Sequence, residues 1–530
     1  MKLLCMITKG IEFERLQLSN SNKVWKLWGP YLAERQWGTV REDYSEDGSA
    51  WNYISHEKAR SNAYRWGEEG IAGFCDRQQI LCLAPAFWNE NDLIFKERLF
   101  GLTNDQGNHG EDVKELYYHL DSSPTHSYCK FLYKYPHNAF PYQDLVSKNQ
   151  TGRDITEFEL LDTNAFIDNK YFDCVIEYAK EDVDDILMKI TVHNRGSEAA
   201  NIHVIPQLWF RNYWKHNSLF KKPKLKSVSP NCIETNSDKN GIYYFHHEYG
   251  EQMFCENETN NEKVYQGKNQ YPFVKDGIND YVIEGKSSVN PKKTGTKAGV
   301  WLKQEVPANK SVIFRIRLNT RLGDDQWSDF DQVFENRINE TEEFYKNVIP
   351  QSLNEKDKAI VRSSFGGLLW TKQFYYFDIY KWMHGEPGSS SPVRKYKRNN
   401  EWQHLTNRNI ISMPDKWEYP WYAAWDLAFH TTTFVYIDPH FAKNQLLLML
   451  QEYYMHPNGQ IPAYEWNFGD VNPPVHGWAV WQVYETDKLK TGIPDWDFLE
   501  RAFQKLLINF TWWVNQKDVN GIDLFDGGFL

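Results

Sequence analysis

The chain has 530 residues, too many for one ordinary hydrophobic core, and 16% of them are aromatic, including 22 Trp, which excludes a disordered protein. Its net charge of −11, with no basic run longer than Arg394-Lys395-Tyr396-Lys397-Arg398, argues against nucleic acid as a partner. Cys5, Cys75, Cys82, Cys129, Cys174, Cys232 and Cys255 form an odd set without Cys-x-x-Cys spacing, so free thiols of a reducing compartment fit better than a disulfide framework or a zinc site.

The N-terminus has five apolar residues, Leu3 to Ile7, before polar ones return, short of a secretory core. No later run approaches the ~20 apolar residues of a membrane span. Cytoplasmic residence is expected, and the Asn-x-Ser/Thr matches at Asn149, Asn257, Asn339 and Asn509 then read as chance.

From about residue 60 to 325 short β-rich runs alternate with turns. Phe172–Tyr178 and Ile186–His193 read as strands, the second closed by the turn Asn194-Arg195-Gly196. Ile202–Phe210, Gly241–His246 and Ser311–Leu318 continue the pattern, which predicts an antiparallel sandwich. Past residue 326 the apolar spacing becomes three and four. Phe330–Val348, Lys356–Trp382, Phe441–Tyr454, Gly477–Glu485 and Trp496–Val514 read as helices, with Asn354 and Asp495 at two of the starts. The segment His384–Tyr419, rich in Gly, Pro and Ser, reads as one long loop of functional rather than disordered character. The expected organisation is a β domain over 1–325, a linking helix over 326–350 and a helical domain from 351 onward.

That loop leads into Trp417-Glu418-Tyr419-Pro420-Trp421-Tyr422-Ala423-Ala424-Trp425-Asp426-Leu427-Ala428-Phe429-His430. Aromatic faces suit the C–H face of a pyranose, and a carboxyl held among them loses water, so its pKa rises as a glycosidic general acid requires. If a helix begins at Trp425, Asp426, Phe429 and His430 share one side of it. The helix dipole would lower the pKa of Asp426 and burial would raise it, and both outcomes stay open, as does a plain capping role. A second stretch, Ile461 to His476, again interleaves acids with aromatics. Its Tyr464, Glu465, Trp466 and His476 are candidate ligand contacts, beside the bland alternative of an interhelical loop with buried rings.

No His-Glu-x-x-His, Gly-x-Gly-x-x-Gly, P-loop or Gly-x-Ser-x-Gly occurs. Asp518-Val519-Asn520-Gly521-Ile522-Asp523 places its glycine too early for a calcium loop. Neither a metal nor a cofactor is expected.

Trp425-Asp426-Leu427-Ala428-Phe429-His430 closely resembles the Trp-Asp-x-x-Phe-His segment of glycoside hydrolase family 63, the processing α-glucosidase I family with its bacterial mannosylglycerate/glucosylglycerate hydrolase-like relatives. Tyr380–Pro387, Asn472-Pro473-Pro474, Trp66–Gly70 and Glu97–Asn104 are similar to words of the same family, so the likeness spans nearly the whole chain. The resemblance implies a β-sandwich followed by an (α/α)6 barrel of the six-hairpin glycosidase type, and hydrolysis of α-linked glucose or mannose with inversion. It implies Asp426 as general acid, while Trp417, Glu418, Tyr419, Trp421, Trp425 and His430 are candidate sugar contacts read from the aromatic run itself. The family's general base, a Glu farther along the barrel, has no matching position here, and Gly527-Gly528-Phe529-Leu530 resembles a point midway through that barrel. An incomplete barrel would expose apolar helix faces to a complementary chain or to a second copy. The expected substrate is a small α-glucoside, α-mannoside or oligosaccharide. The competing expectations are a non-catalytic carbohydrate-binding or scaffold protein, and a phosphorylase or lyase using Arg394, Lys395 and Arg398 as an anion site.

Overall fold

A computed structural model describes residues 10–22, 24–35, 55–102, 106–107, 112–152, 154–215, 219–323, 325–385, 402–419, 421–465, 468–518, 521 and 525. The architecture is mixed β and α. One antiparallel sheet has six strands in the order Trp28–Gly29, Phe74–Asp76, Leu81–Trp88, Ala200–Phe210, Lys297–Val306, Glu251–Cys255. A second has nine, running from Thr294–Gly295 through Lys224–Ser229, Cys232–Ser237, Gly241–His247, Ser311–Asn319, Asp185–Asn194, Tyr171–Asp182 and Tyr128–Pro136 to Leu116–Ser122.

Alternation along these strands sends one side chain in two to a shared interior. Leu83, Val204, Leu208 and Val300 of the first sheet meet Phe131, Ile176, Met188 and Phe314 of the second in one apolar cluster. Register keeps the faces in phase: Leu208 pairs with Leu83, and Cys174 with Val192. The motif residues Glu68, Glu69, Glu97 and Arg98 enclose a cavity of about 20 Å³ with Lys275 and Lys297, where Lys297 Nζ lies 3.0 Å from Glu97 and Arg98 lies 3.3 Å from Glu69. Those words therefore build an ion network inside the β region.

The helix Phe330–Val348 lays Val333, Phe334, Phe344 and Tyr345 inward, as its spacing predicts. Glu355–Trp370 follows, capped by Asn354, whose side chain accepts from the Asp357 N–H. It docks on the strand Leu116–Ser122 through Trp370 Nε1, which donates to the Asp121 carbonyl at 3.0 Å. The expected helix over Lys356–Trp382 ends there. Lys372–Asp378 is instead a strand, paired antiparallel with Thr406–Ser412, and only Ile379–His384 returns to helix. The run Phe374-Tyr375-Tyr376-Phe377 favours extended backbone, and the partner that satisfies its amides lies across the segment expected to be loop. Helices Ala424–Phe434, Pro439–Met449, Val475–Thr491 and Trp496–Trp512 complete the described helical region around Ala428, Leu446, Val480, Val483 and Ala502. Asp495 caps the last of these by accepting from the Phe498 N–H. No helix among the described residues is long and apolar enough to cross a membrane. The cysteines from Cys75 to Cys255 are free and buried, while Cys5 lies outside the described residues.

Candidate functional site

The helix Ala424–Phe434 buries Leu427, Ala428, Thr431 and Phe434, so its opposite side is left for other work. Asp426 occupies the first turn and is exposed, as is Phe429, with His430 half-buried beside them. Although solvent reaches the side chain, the surrounding protein removes enough water from the carboxyl to raise its pKa, against a smaller opposing effect of its own backbone N–H. Lost hydration is thus the larger of these two effects. Among the described residues no Lys or Arg pairs with Asp426. His430 offers Nδ1 to Ser412 Oγ at 2.7 Å, and burial lowers its pKa to about 4, so it is neutral at pH 7.

An aromatic face surrounds this turn. The rings of Trp425 and Phe429 are 6.1 Å apart, and those of Phe429 and Trp478 are 5.6 Å apart. Phe429, Trp478 and Trp481 are exposed, an arrangement that leaves ring faces open to a ligand. Sequence reasoning passed over Trp478 and Trp481; the signal was their three-residue spacing on the helix Val475–Thr491.

The second candidate stretch docks against the helix start. Ala424 N–H donates to the Ala463 carbonyl at 3.0 Å, and Tyr422 OH donates to the Pro462 carbonyl at 3.2 Å. Beside that junction lies a cavity of about 30 Å³, walled in part by Trp425, Asn472, His476, Asn509 and Trp513. Asp426 is not among its lining residues. His476 Nε2 donates to the Leu446 carbonyl at 3.0 Å, which leaves Nδ1 as an acceptor, and burial lowers its pKa to about 4. Trp425 Nε1 and His476 Nδ1 have no hydrogen-bond partner among the described residues. One donor and one acceptor on a space large enough for a water suit a hydroxyl group. Tyr464 OH bonds to Asp470, and Glu465 is fully buried, its charge helping to raise the Tyr422 phenol after burial itself. Trp466, Arg394, Lys395, Arg398 and Gly527–Leu530 lie outside the described residues.

Two other expected contacts, Trp417 and Trp421, have no open face. Trp417 is 1% exposed and belongs to the core between the sheets, with the Arg35 guanidinium 4.0 Å from its ring centroid. Its ring packs on the bare backbone at Gly101, where any larger side chain would clash with it. Trp421 is buried against Tyr422 and Trp382, with exposed Tyr419 edge-on at 4.9 Å. Glu418 is half-buried, its carboxyl raised by lost hydration and by the charge of Asp415.

Asp112, Glu157 and Glu159 bring one carboxylate oxygen each within 4.8 Å of one another. Lys114 Nζ already occupies their centre, bonded to Asp112 and lying 2.6 Å from Glu157 and 2.7 Å from Glu159. The cluster is a neutralising knot around a buried ammonium, and burial pushes Asp112 up to about 7.

Residues 419–526 match a family described as the mannosylglycerate hydrolase MGH1-like glycoside hydrolase domain. The chain is 42% identical over 585 aligned positions to a Saccharomyces cerevisiae protein named "Uncharacterized protein YMR196W", covering 99% of this chain and 53% of that protein. It therefore spans about half the length of that curated relative. Among solved structures, a putative kojibiose phosphorylase from human microbiome aligns with a TM-score of 0.23 and 9% identity over 64% of this chain and 43% of that one. The family GH92 alpha-mannosidase BT3965 from Bacteroides thetaiotaomicron aligns with a TM-score of 0.23 and 10% identity over 65% of this chain and 51% of that one. Likenesses at that score carry no argument about fold or activity.

Proposed function

We propose that the chain is a glycoside hydrolase acting on small α-glucosides, α-mannosides or oligosaccharides, with Asp426 as the general acid. The observation that carries this is the state of Asp426: a carboxyl with no Lys or Arg partner among the described residues, its pKa raised by lost hydration, in the first turn of a helix beside open aromatic rings. The glycoside hydrolase match over 419–526 includes that residue. A raised carboxyl keeps its proton at higher pH and can deliver it to a departing glycosidic oxygen. Trp425, Phe429 and Trp478 would cover the sugar ring, with Trp425 Nε1 and His476 Nδ1 holding a hydroxyl. Tyr419, Tyr464 and His430 are flanking contacts on this reading.

The proposed architecture is a β-sandwich over 1–325, a linking helix over 326–350 and, from 351, part of an (α/α)6 barrel. Trp496, Phe503 and Phe510, which are 65%, 64% and 62% exposed on the helix Trp496–Trp512, support an apolar face that further barrel helices, a complementary chain or a second copy would cover.

A second reading, carbohydrate binding without turnover, is favoured by one observation. Inversion needs two carboxyl groups roughly 6.5–9.5 Å apart, and among the described residues no carboxylate lines the cavity beside Asp426. Both readings are tested by incubating the chain, and a protein extended to the length of the yeast relative, with p-nitrophenyl α-glucoside and α-mannoside. Release that Asp426→Asn abolishes while sugar binding persists supports the hydrolase. Binding by both proteins without release supports the second reading, and undiminished release by the variant removes Asp426 from the acid role.

A further inference from the structure

The larger cavity that the hydrolase reading leaves unused lies where the six-stranded sheet meets the hairpin Lys372–Asp378/Thr406–Ser412. It has a volume of about 270 Å³. Arg65, Arg211, Lys239, Lys381 and Arg408 line it, and among the described residues no Asp or Glu does. A protein of net charge −11 has thus gathered five cations around one hollow.

The disposition of Arg211 is the strongest part of the case. Its side chain is buried, and it donates to three main-chain carbonyls: Gln79 at 3.0 Å, Gln78 at 3.3 Å and Arg65 at 3.4 Å. Carbonyls satisfy its N–H groups, and the rings of Phe374 and Tyr376, whose centroids lie 5.7 and 5.2 Å from the guanidinium carbon, offset only part of the unit charge. Among the described residues no carboxylate forms an ion pair with Arg211, although buried Glu68 feels its field. A buried cation left in that condition is costly unless an anion completes it. Arg408 is exposed on the cavity rim and also has no ion pair among the described residues. Lys381 is less available, since Nζ bonds Tyr376 OH at 3.2 Å and stands 3.8 Å from Asp378.

Four aromatic residues share the rest of the wall with Gln78, Ile80 and Asn212. Phe374 and Tyr376, two apart on one strand, present rings 6.3 Å apart and inclined by 21°. Tyr213 and Phe220 stand opposite in the lining, with Lys239 Nζ 4.5 and 4.1 Å from their ring centroids. The volume falls just below the roughly 300–1,000 Å³ usual for drug-sized ligands, which suits a single ring with an anionic substituent. Guanidinium groups match the oxygens of a phosphate, and aromatic faces match the C–H face of a sugar.

We propose that this cavity binds the phosphomonoester of a monosaccharide, with the phosphate held by Arg211 and Arg408 and the ring against Phe374 and Tyr376. That the ring is a sugar rests on the hydrolase reading; that the ligand is an anion does not. The site shares no lining residue with the cavity beside Asp426.

The test is calorimetric titration of the full chain with glucose 6-phosphate, glucose and inorganic phosphate, repeated on Arg408→Gln, Arg211→Lys and Asp426→Asn. Arg408 is exposed, so Arg408→Gln is expected to fold normally; Arg211→Lys keeps the charge while losing the planar fork. Glucose 6-phosphate is expected to bind with a dissociation constant below about 1 mM, about tenfold or more tighter than either glucose or phosphate alone. Each arginine variant is expected to weaken it by about tenfold, while Asp426→Asn leaves it unchanged. Absence of binding by either anion overturns the site, and phosphate binding as tightly as the ester overturns the sugar. A ligand lost in Asp426→Asn but kept in Arg408→Gln belongs elsewhere, which also overturns it. Glucose 6-phosphate binding in a protein that releases no p-nitrophenol sinks the hydrolase reading alone.

Discussion

Acidification should expose the cost of keeping His476 neutral. The imidazole is buried, donates Nε2 to the Leu446 carbonyl, and has its pKa lowered by burial from 6.5 to about 4. Above pH 6.5 it is neutral in both folded and unfolded chains, so it contributes no pH dependence there. As pH falls from 6.5 toward 4, the unfolded chain takes up the proton and the folded one does not, so stability is lost through that window and levels off below it. The gap is worth about 3 kcal/mol in all, of which about 2 kcal/mol is gone by pH 5. His476→Asn keeps an amide donor for Leu446 and has no proton to gain. Urea unfolding at pH 7 and pH 5, followed by Trp fluorescence, should show the native protein losing about 2 kcal/mol more than the variant, since other buried histidines act on both alike. Equal losses in the two proteins would refute the reasoning.

Gly101→Ala should be severe: its new methyl would stand 1.9 Å from Trp417 Cη2 and 2.4 Å from the Asp112 carbonyl oxygen, so about 3 kcal/mol of stability is expected to go, and an unchanged thermal midpoint would contradict that contact. Trp417→Ala should cost about 3–5 kcal/mol while leaving sugar affinity of the folded protein intact; the opposite pattern would make Trp417 a ligand platform after all. Trp478→Ala, at a ring 47% exposed, should change stability by less than about 1 kcal/mol yet weaken sugar binding, measured by fluorescence quenching. In an active extended protein, kcat/KM should fall as pH rises through the raised pKa of Asp426, because only the protonated carboxyl can act as the acid. An alkaline limb that survives Asp426→Asn would give the acid role to another group.

Where one segment contains its own instructions, sequence and structure coincide. The helix Phe330–Val348 has a single-sided apolar stripe, and Asn354 and Asp495 each accept from an N–H three residues on, a bond their own segments supply. The strands Tyr171–Asp182 and Asp185–Asn194 are neighbours joined by a tight turn, so alternation and turn chemistry suffice to read them. Lys372–Asp378 departs from the helix expected there because its preference is settled by Thr406–Ser412, a partner 28 to 40 residues away whose own sequence has no strict period. Helical spacing and an aromatic β run can coexist over seven residues, and pairing decides between them.

The site divides along the same line. Trp425, Asp426, Phe429 and His430 fall within two turns of one helix, so their neighbourhood could be read from spacing, but the raised carboxyl could not. Whether hydration or the helix start governs Asp426 depends on protein brought in from elsewhere, including the loop that Ala463 ties to Ala424 and the ring of Trp478 set against Phe429. Tryptophan count is equally ambiguous. Trp417 and Trp425 lie eight positions apart in one aromatic run, yet the first is sealed between Gly101 and the Arg35 guanidinium while the second borders a cavity, its indole N–H without a partner among the described residues. The contacts that separate a core ring from a ligand-facing one come from residues 35 and 101 in one case and 476 in the other. An aromatic run can therefore mark where a sugar site is built without marking which of its rings touches the sugar.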